Sequence, residues 1–389
     1  MSPITTYLDF NAGSPVKPEV AEAVAEALAI GGNPSSVHRL GRLARATVDR
    51  ARDSVAAMVG ATGLQVIFTS GGTEANAQAL SAAIGLKSGP VVVSSVEHPS
   101  VRDGAAAMSP SVIYAPVDHD GVLDLAALDQ ILASNQCSAV SLMLANNETG
   151  VIQPVAEAAK LAHARDILVH CDAAQGPGKI LVDFQGLGVD FLTISSHKVS
   201  GPQGVGAVIV RNGETLPAIL RGGGQERGQR AGTENVSGIA GFGVAAEMAG
   251  EDLARAPILA AMRDSMEARL IQMAANHLGG FTVFGGNAAR LPNTSLFAVA
   301  GMARDTQVIG LDLAGVAVSA GSACSSGKVH ASHVLSAMGV PDDLATAAIR
   351  VSLGWSTEQS NLDRFVDAWY EIRIAKSIGA NATEMQKAS

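Results

Sequence analysis

The stretch Phe191-Leu-Thr-Ile-Ser-Ser-His-Lys-Val-Ser-Gly-Pro-Gln-Gly204 decides how the rest of the chain is read. A short apolar, β-branched run, Phe191 to Ile194, halts at two serines, a histidine and a lysine. A Gly/Pro loop then leads to a second apolar run, Val205 to Val210. This is the pattern strand, polar loop, strand. A lysine delivered by the end of a buried strand sits where a Schiff-base lysine is needed, because desolvation lowers the ammonium pKa and frees a lone pair for a carbonyl. Ser195 and His197 add phosphate-binding donors beside Lys198. A surface turn that happens to end in Lys198 has the same local pattern, so residues elsewhere must decide.

With 389 residues the chain exceeds one average core, which favours two domains, or a large domain with a smaller partner. It is 47% hydrophobic and holds 42 glycines, enough for a sizeable core with many tight turns. The formal net charge of −9, without a basic tail or Lys/Arg cluster, argues against direct nucleic-acid binding and for an acidic metabolic-type protein. No segment reaches the roughly 20 apolar residues of a membrane helix, and the first residues lack a basic start before an apolar run. A cytoplasmic location without a membrane partner is therefore expected. Cys137, Cys171 and Cys324 are widely spaced, with no CxxC, which suggests neither a disulfide framework nor a structural zinc site. Cys137 and Cys171 border apolar runs and read as small buried hydrophobes.

From Gln65 onward, strand and helix patterns alternate. Strands are expected at Gln65–Thr69, Val91–Ser95, Val112–Ala115, Ala139–Leu144, Leu168–Cys171, Phe191–Ile194 and Gly206–Val210, with helices at Glu74–Leu86, Ser100–Met108, Leu125–Ala133 and Val155–Arg165. Short all-apolar strands with intervening helices specify an α/β fold, its mainly parallel sheet covered on both faces. Upstream, the helical pattern from His38 to Val59 puts Arg42, Arg45, Arg50 and Arg52 on a solvated side. Beyond the Gly-rich loop Arg221 to Thr233, a long amphipathic segment reaches about His277. Shorter strands follow, then a closing helix from Glu358 to about Ile374 and a polar, frayed Gly379 to Ser389. The expected division is a large domain over 14–255 and a smaller α+β domain formed by 1–13 with 256–389.

In a parallel sheet, ligands bind beyond the carboxyl ends of the strands. After the first strand comes Ser70-Gly-Gly-Thr-Glu-Ala-Asn76, where Gly72 and Thr73 offer N–H groups and a hydroxyl at a helix start. The same string also reads as a plain capping turn with Thr73 as N-cap. After the next strand comes His98, an imidazole able to lie against a ligand ring and move protons. Asn146-Asn147-Glu-Thr-Gly150 is an amide-rich turn, and Asp172 with Gln175 follows another strand. A carboxylate placed there is costly unless it meets a positive group, and a pyridinium nitrogen would supply one. Thr, His, Asn, Asp and Lys at the same end of one sheet together describe a pocket for a phosphorylated, protonatable aromatic aldehyde that forms an imine.

These residues resemble pyridoxal-phosphate enzymes of the class V aminotransferase type, and more narrowly cysteine desulfurases of the NifS/IscS kind. The likeness spans about Tyr7 to Ile374. It rests on strings in order, among them Asn33-Pro-Ser-Ser-Val-His38, Thr69-Ser-Gly-Gly-Thr-Glu74, His170-Cys-Asp-Ala-Ala-Gln175, Ser195-Ser-His-Lys198, Arg230-Ala-Gly-Thr233, Gly321-Ser-Ala-Cys324 and Ile349-Arg-Val-Ser-Leu-Gly354. The resemblance implies fold type I and the cofactor pyridoxal 5'-phosphate (PLP). By it, Lys198 carries the imine, Asp172 pairs with the ring nitrogen, and His98 stacks on the ring. Gln175 and Asn147 contact ring substituents or substrate, while Gly72, Thr73, Ser195 and His197 hold the phosphate. Thr233 reaches the phosphate of a second subunit, so a homodimer is implied, and Arg350 takes the substrate carboxylate, a task suited to a guanidinium fork.

Cys324 lies among small polar residues, in Val318-Ser-Ala-Gly-Ser-Ala-Cys-Ser-Ser-Gly-Lys-Val-His330, with Lys328 and His330 near enough in sequence to favour its thiolate. By the resemblance it attacks the sulfur of substrate L-cysteine, giving L-alanine and a persulfide destined for an acceptor or an iron–sulfur scaffold protein. No metal site is implied, apart from a transient cluster on Cys324. A selenocysteine lyase or another class V lyase or aminotransferase is the alternative. The loop from Ser325 to His330 and the tail after Ile374 depart from the housekeeping cluster-assembly enzymes, which leaves the acceptor open.

Overall fold

The computed structural model describes residues 6–211, 216–277, 280–321 and 331–387, the side chains of 276–277 and 375–387 excepted. The strands are β1 (Thr6–Tyr7), β2 (Val66–Thr69), β3 (Val91–Ser94), β4 (Val112–Ala115), β5 (Ala139–Met143), β6 (Leu168–Asp172), β7 (Phe191–Ser195), β8 (Gly206–Val210), β9 (Phe281–Val283), β10 (Thr294–Val299), β11 (Val316–Ala317) and β12 (Ile349–Ser352). Seven of them form one sheet in the order β2-β8-β7-β6-β5-β3-β4.

The ladder from β4 through β3, β5 and β6 to β7 is parallel, and β8 alone runs against its neighbours β7 and β2. β2 therefore points the same way as β3, β5, β6 and β7, and all five end at one edge. The runs Val-Val-Val-Ser and Phe-Leu-Thr-Ile-Ser are buried along their whole length, as strands covered on both faces must be. Their apolar side chains join a core with the helices Arg39–Met58, Val155–His163 and Val236–Ala254.

A second core gathers Leu8, Leu270, Phe297, Val351, Phe365 and Trp369. It lies on the antiparallel sheet β12-β10-β9 and on the two-stranded pair of β1 with β11, which brings Thr6 to Leu8 against the last third of the chain. A bridge from Asp9 to Ser352 ties the two sheets together.

Three expectations need correction. Arg52 does not face solvent: it is 6% exposed and grips Glu226 through two bonds of 2.6 Å, also donating to Val66 O. Helical spacing cannot distinguish a solvated arginine from one whose acceptor comes from a loop 174 residues away. The segment from Asn235 to His277 is broken into two helices, Val236–Ala254 and Ala256–His277. The closing helix, Gln359–Lys387, passes Ile374 and includes most of the tail read as frayed. Residues 375–387 carry Ala, Glu, Met, Gln and Lys, good helix formers without the apolar period that the pattern reading follows.

Candidate active site

A cavity of about 600 Å³ opens at the edge where β2, β3, β5, β6 and β7 end. Gly72, Thr73, His98, Asn147, Asp172, Gln175, Ser195, His197, Lys198 and Arg350 all line it. Thr233 does not: it is exposed beside a separate hollow of about 150 Å³ between Ser70 and Glu234. Cys324, with Lys328 and His330, lies outside the described residues, although Gly321 and Ala331 on either side of that segment line the cavity.

Lys198 sits in a short 3₁₀ turn directly after β7. Its Nζ donates to Asn11 O at 2.6 Å and Ala12 O at 2.9 Å. Burial, then the Arg350 guanidinium, lowers its pKa to about 8, while Asp172 and Asp9 pull it back up. An amine so placed stays mostly protonated at neutral pH but holds far more of the free base than an ordinary lysine.

Asp172 ends β6, 8% exposed, and both carboxylate oxygens accept: Oδ1 from Ala174 N at 3.0 Å, Oδ2 from Asn76 Nδ2 at 2.8 Å. Asn76 is held in turn by the Thr193 hydroxyl, Thr193 by His170 Nε2 at 3.2 Å, and His170 Nδ1 by the Ser141 hydroxyl at 2.8 Å. Burial holds His170 down to about 4, hence neutral, and a neutral ring with Nε2–H donates to Thr193 while Nδ1 accepts from Ser141. Every donor in this row points towards Asp172.

His98 caps the helix Pro99–Met108, its Nδ1 accepting from Ser100 N at 3.1 Å. That bond puts the ring proton on Nε2. The imidazole projects into the cavity, yet protein crowds it enough that desolvation is the main cause of its lowered pKa, with Lys198 adding to the effect.

The helix Gly72–Leu86 starts on Gly71 rather than Thr73 and has no side-chain cap, so its first N–H groups lack an internal acceptor where Gly72 and Thr73 border the cavity. A Cβ on Gly72 would stand 3.3 Å from Ser195 Cβ, which ties that close approach to glycine. His197 is held to about 4 by burial and by Lys198 and Lys179, so it offers a neutral N–H. Across the cavity Arg350, 3% exposed on β12, donates to Asn147 O at 2.8 Å and Asp9 Oδ1 at 2.6 Å, leaving Nε without a partner.

Several lining residues escaped the sequence reading. Asn11 and Asn76 serve through contacts distant along the chain, although Asn76 lies one helical turn beyond Thr73 and could have been found by that spacing. Arg304, 3% exposed, opens a helix with Nε and a terminal nitrogen unpaired, while its neighbour Asp305 stands 3.5 Å away. Glu148 accepts from Ser332 Oγ at 2.6 Å, and burial raises its pKa against the pull of Arg350 and Arg304.

An anion cradle at a helix start, a buried carboxylate and an amine of lowered pKa between them define a site for a phosphorylated cationic ring that forms imines. Residues 6–365 match the aminotransferase class V family, and the chain belongs to it. It is 40% identical to the cysteine desulfurase IscS of Dictyoglomus turgidum over 93% of this chain and 92% of that protein. A solved NifS-like protein from Rickettsia africae superposes with a TM-score of 0.85 at 33% identity, covering 95% of this chain and 99% of the other. SspA, solved in complex with cysteine, gives a TM-score of 0.74 at 28% identity, covering 90% and 98%. The fold is that of the type I PLP-dependent enzymes.

Proposed function

We propose that the protein is a PLP-dependent L-cysteine desulfurase. The observation that carries this reading is the convergence of Gly72, His98, Asp172, Lys198 and Arg350, from separate elements, on one cavity. Relatives named as cysteine desulfurases at about 40% identity support the substrate class. PLP, when bound, supplies an aldehyde for imine exchange with amines and an electron sink for the charge left at the substrate's α-carbon.

The protein's residues would divide the remaining work. Gly72, Thr73, Ser195 and His197 hold the phosphate through N–H and O–H donors, and Asp172, fixed at both oxygens, keeps the ring nitrogen protonated. His98 covers the ring face as a neutral imidazole. Arg350, which lines the cavity with Nε free of a hydrogen-bond partner, would take the substrate carboxylate. Lys198 would remove the substrate's α-proton; its lowered pKa leaves a share of free amine to do so. Cys324 would then take the sulfur, so that substrate thiol and enzyme thiol become L-alanine and an enzyme persulfide, with atoms and electrons balanced. That sulfur would pass to an acceptor for iron–sulfur clusters or thiolation.

The same reading takes 14–255 as the cofactor domain and 1–13 with 256–389 as the smaller one, supported by the two separate apolar cores. It also takes the protein as a homodimer, supported by the exposed position of Thr233 away from its own chain's cavity. The test is to incubate holoenzyme with L-cysteine and record intact mass and alanine. Wild type should gain sulfur on Cys324, and Cys324→Ala should not. Alanine released without a sulfur adduct on wild type would count against the persulfide step, and turnover of selenocysteine but not cysteine would select the lyase.

A further inference from the structure

Lys179 plays no part in the reaction above, yet it is tied to the site. It stands four residues after Gln175, in the turn that follows β6; Gly178, at φ 73°, bends this turn so that Lys179 N reaches Gly176 O at 3.1 Å. Its ammonium donates to Gln175 Oε1 at 2.6 Å. On the other side of the same amide, Gln175 Nε2 donates to Asn11 O at 3.0 Å, the carbonyl that also accepts from Lys198. A continuous row of hydrogen bonds therefore joins Lys179, Gln175, Asn11 and Lys198.

Among the described residues no carboxylate pairs with Lys179; the nearby Asp252 is taken by Lys17 at 2.7 Å. Instead burial, and then the cations Lys198 and Arg350, lowers its pKa to about 7. A cation in such company adds nothing obvious to stability. Nor does Lys179 line the large cavity: it borders a separate hollow of about 30 Å³ behind Lys198. Whatever it does for a ligand, it does through Gln175.

We propose that Lys179 is a positioning residue whose ammonium locks the Gln175 amide, so that an N–H of Gln175 rather than its oxygen faces the bound cofactor. Lys179 Nζ donates to Oε1 at 2.6 Å, and while it is protonated it can do nothing but donate, so Oε1 stays turned to it. The nitrogen then carries two hydrogens, one committed to Asn11 O and one free for an acceptor on PLP in the cavity that Gln175 lines. Without Lys179, the amide loses the partner that holds its oxygen away from the ligand.

This rests on reading the cavity as a PLP site, and the experiment separates the two. PLP affinity of the apoprotein is titrated by visible absorbance for wild type, Lys179→Met, Gln175→Ala and the double variant. Each single change should weaken binding roughly tenfold, and the double should match Gln175→Ala to within about twofold, since the lysine acts only through the glutamine. Lys179→Arg, which keeps a charged donor, should restore most of the affinity. Should Lys179→Met fail to fold, Lys179→Gln takes its place in the cycle. Additive losses of roughly a hundredfold in the double variant would overturn the inference alone, whereas a wild type that takes up no PLP would overturn the reading of the cavity as well.

Discussion

The two walls of the cavity are built on opposite principles. On the wall carried by β5, β6 and β7, hydrogen bonds close on themselves: Ser141, His170, Thr193 and Asn76 each donate to the next, and the row ends on Asp172. On the wall carried by β12 and the helix Arg304–Leu313, Nε of Arg350 and a terminal nitrogen of Arg304 are buried without a hydrogen-bond acceptor, although Asp305 lies 3.5 Å from Arg304 Nε. A closed network holds a carboxylate in one position before anything binds. Unpaired buried donors cost about 1–3 kcal/mol each until an anion arrives, so the open wall gains most from the ligand that completes it. The fixed wall thus suits a resident ring, and the wall with free donors suits an anionic substrate that comes and goes.

Asp172→Asn attacks the closed wall where the consequence is largest. It replaces a carboxylate by an amide that cannot hold a ring proton, and it turns an NH2 towards either Asn76 Nδ2 or Ala174 N, both donors. Desulfurase kcat should fall by roughly a thousandfold, with the PLP visible band altered, since a lost buried charge pair is worth about 3–5 kcal/mol. A loss under tenfold would mean that the row does not serve a charged ring. Arg350→Lys tests the open wall. One ammonium cannot replace a fork that already spans Asn147 O and Asp9 and must still offer Nε. Steady-state kinetics with L-cysteine should show kcat/KM down by about a hundredfold, mostly in KM, whereas PLP affinity of the apoprotein changes little.

The two walls also differ in how far the sequence disclosed them. The closed wall was legible at its ends, because parallel strands put Thr73, His98, Asp172 and Lys198 at one edge and periodicity locates strand ends. Its inner members were not: Thr193 and Ser141 read as ordinary residues of apolar strands, and only cross-strand register brings Thr193 beside Asp172 and Ser141 beside His170. The open wall was legible at Arg350 alone, through a resemblance rather than a pattern. Arg304, Asn11 and Asp9 come from segments with no local signal of their own, and their meeting depends on how β1, β11 and β12 are tied together. Arg52 misled for the same reason, since its partner Glu226 belongs to a loop that no periodicity connects to it.

Lys198 lies between the walls, and the charges on them pull its proton in opposite directions: burial, the largest cause, and then Arg350 lower the pKa to about 8, while Asp172 and Asp9 raise it. The amine must be unprotonated to capture an aldehyde, so the rate of PLP uptake by the apoprotein should climb about tenfold per pH unit below 8 and flatten above it. Stopped-flow absorbance across pH 6 to 10 reads the midpoint directly. In Arg350→Gln the midpoint should move up, because a cation that disfavours the ammonium is gone. In Asp172→Asn it should move down, because an anion that favours it is gone. Each displacement should be less than about one unit, the smallest effect foreseen here, since burial rather than either charge is the first cause of the lowered value. Displacement of both midpoints in one direction would mean that Lys198 responds to altered packing, and the electrostatic opposition of Arg350 and Asp172 would have to be abandoned.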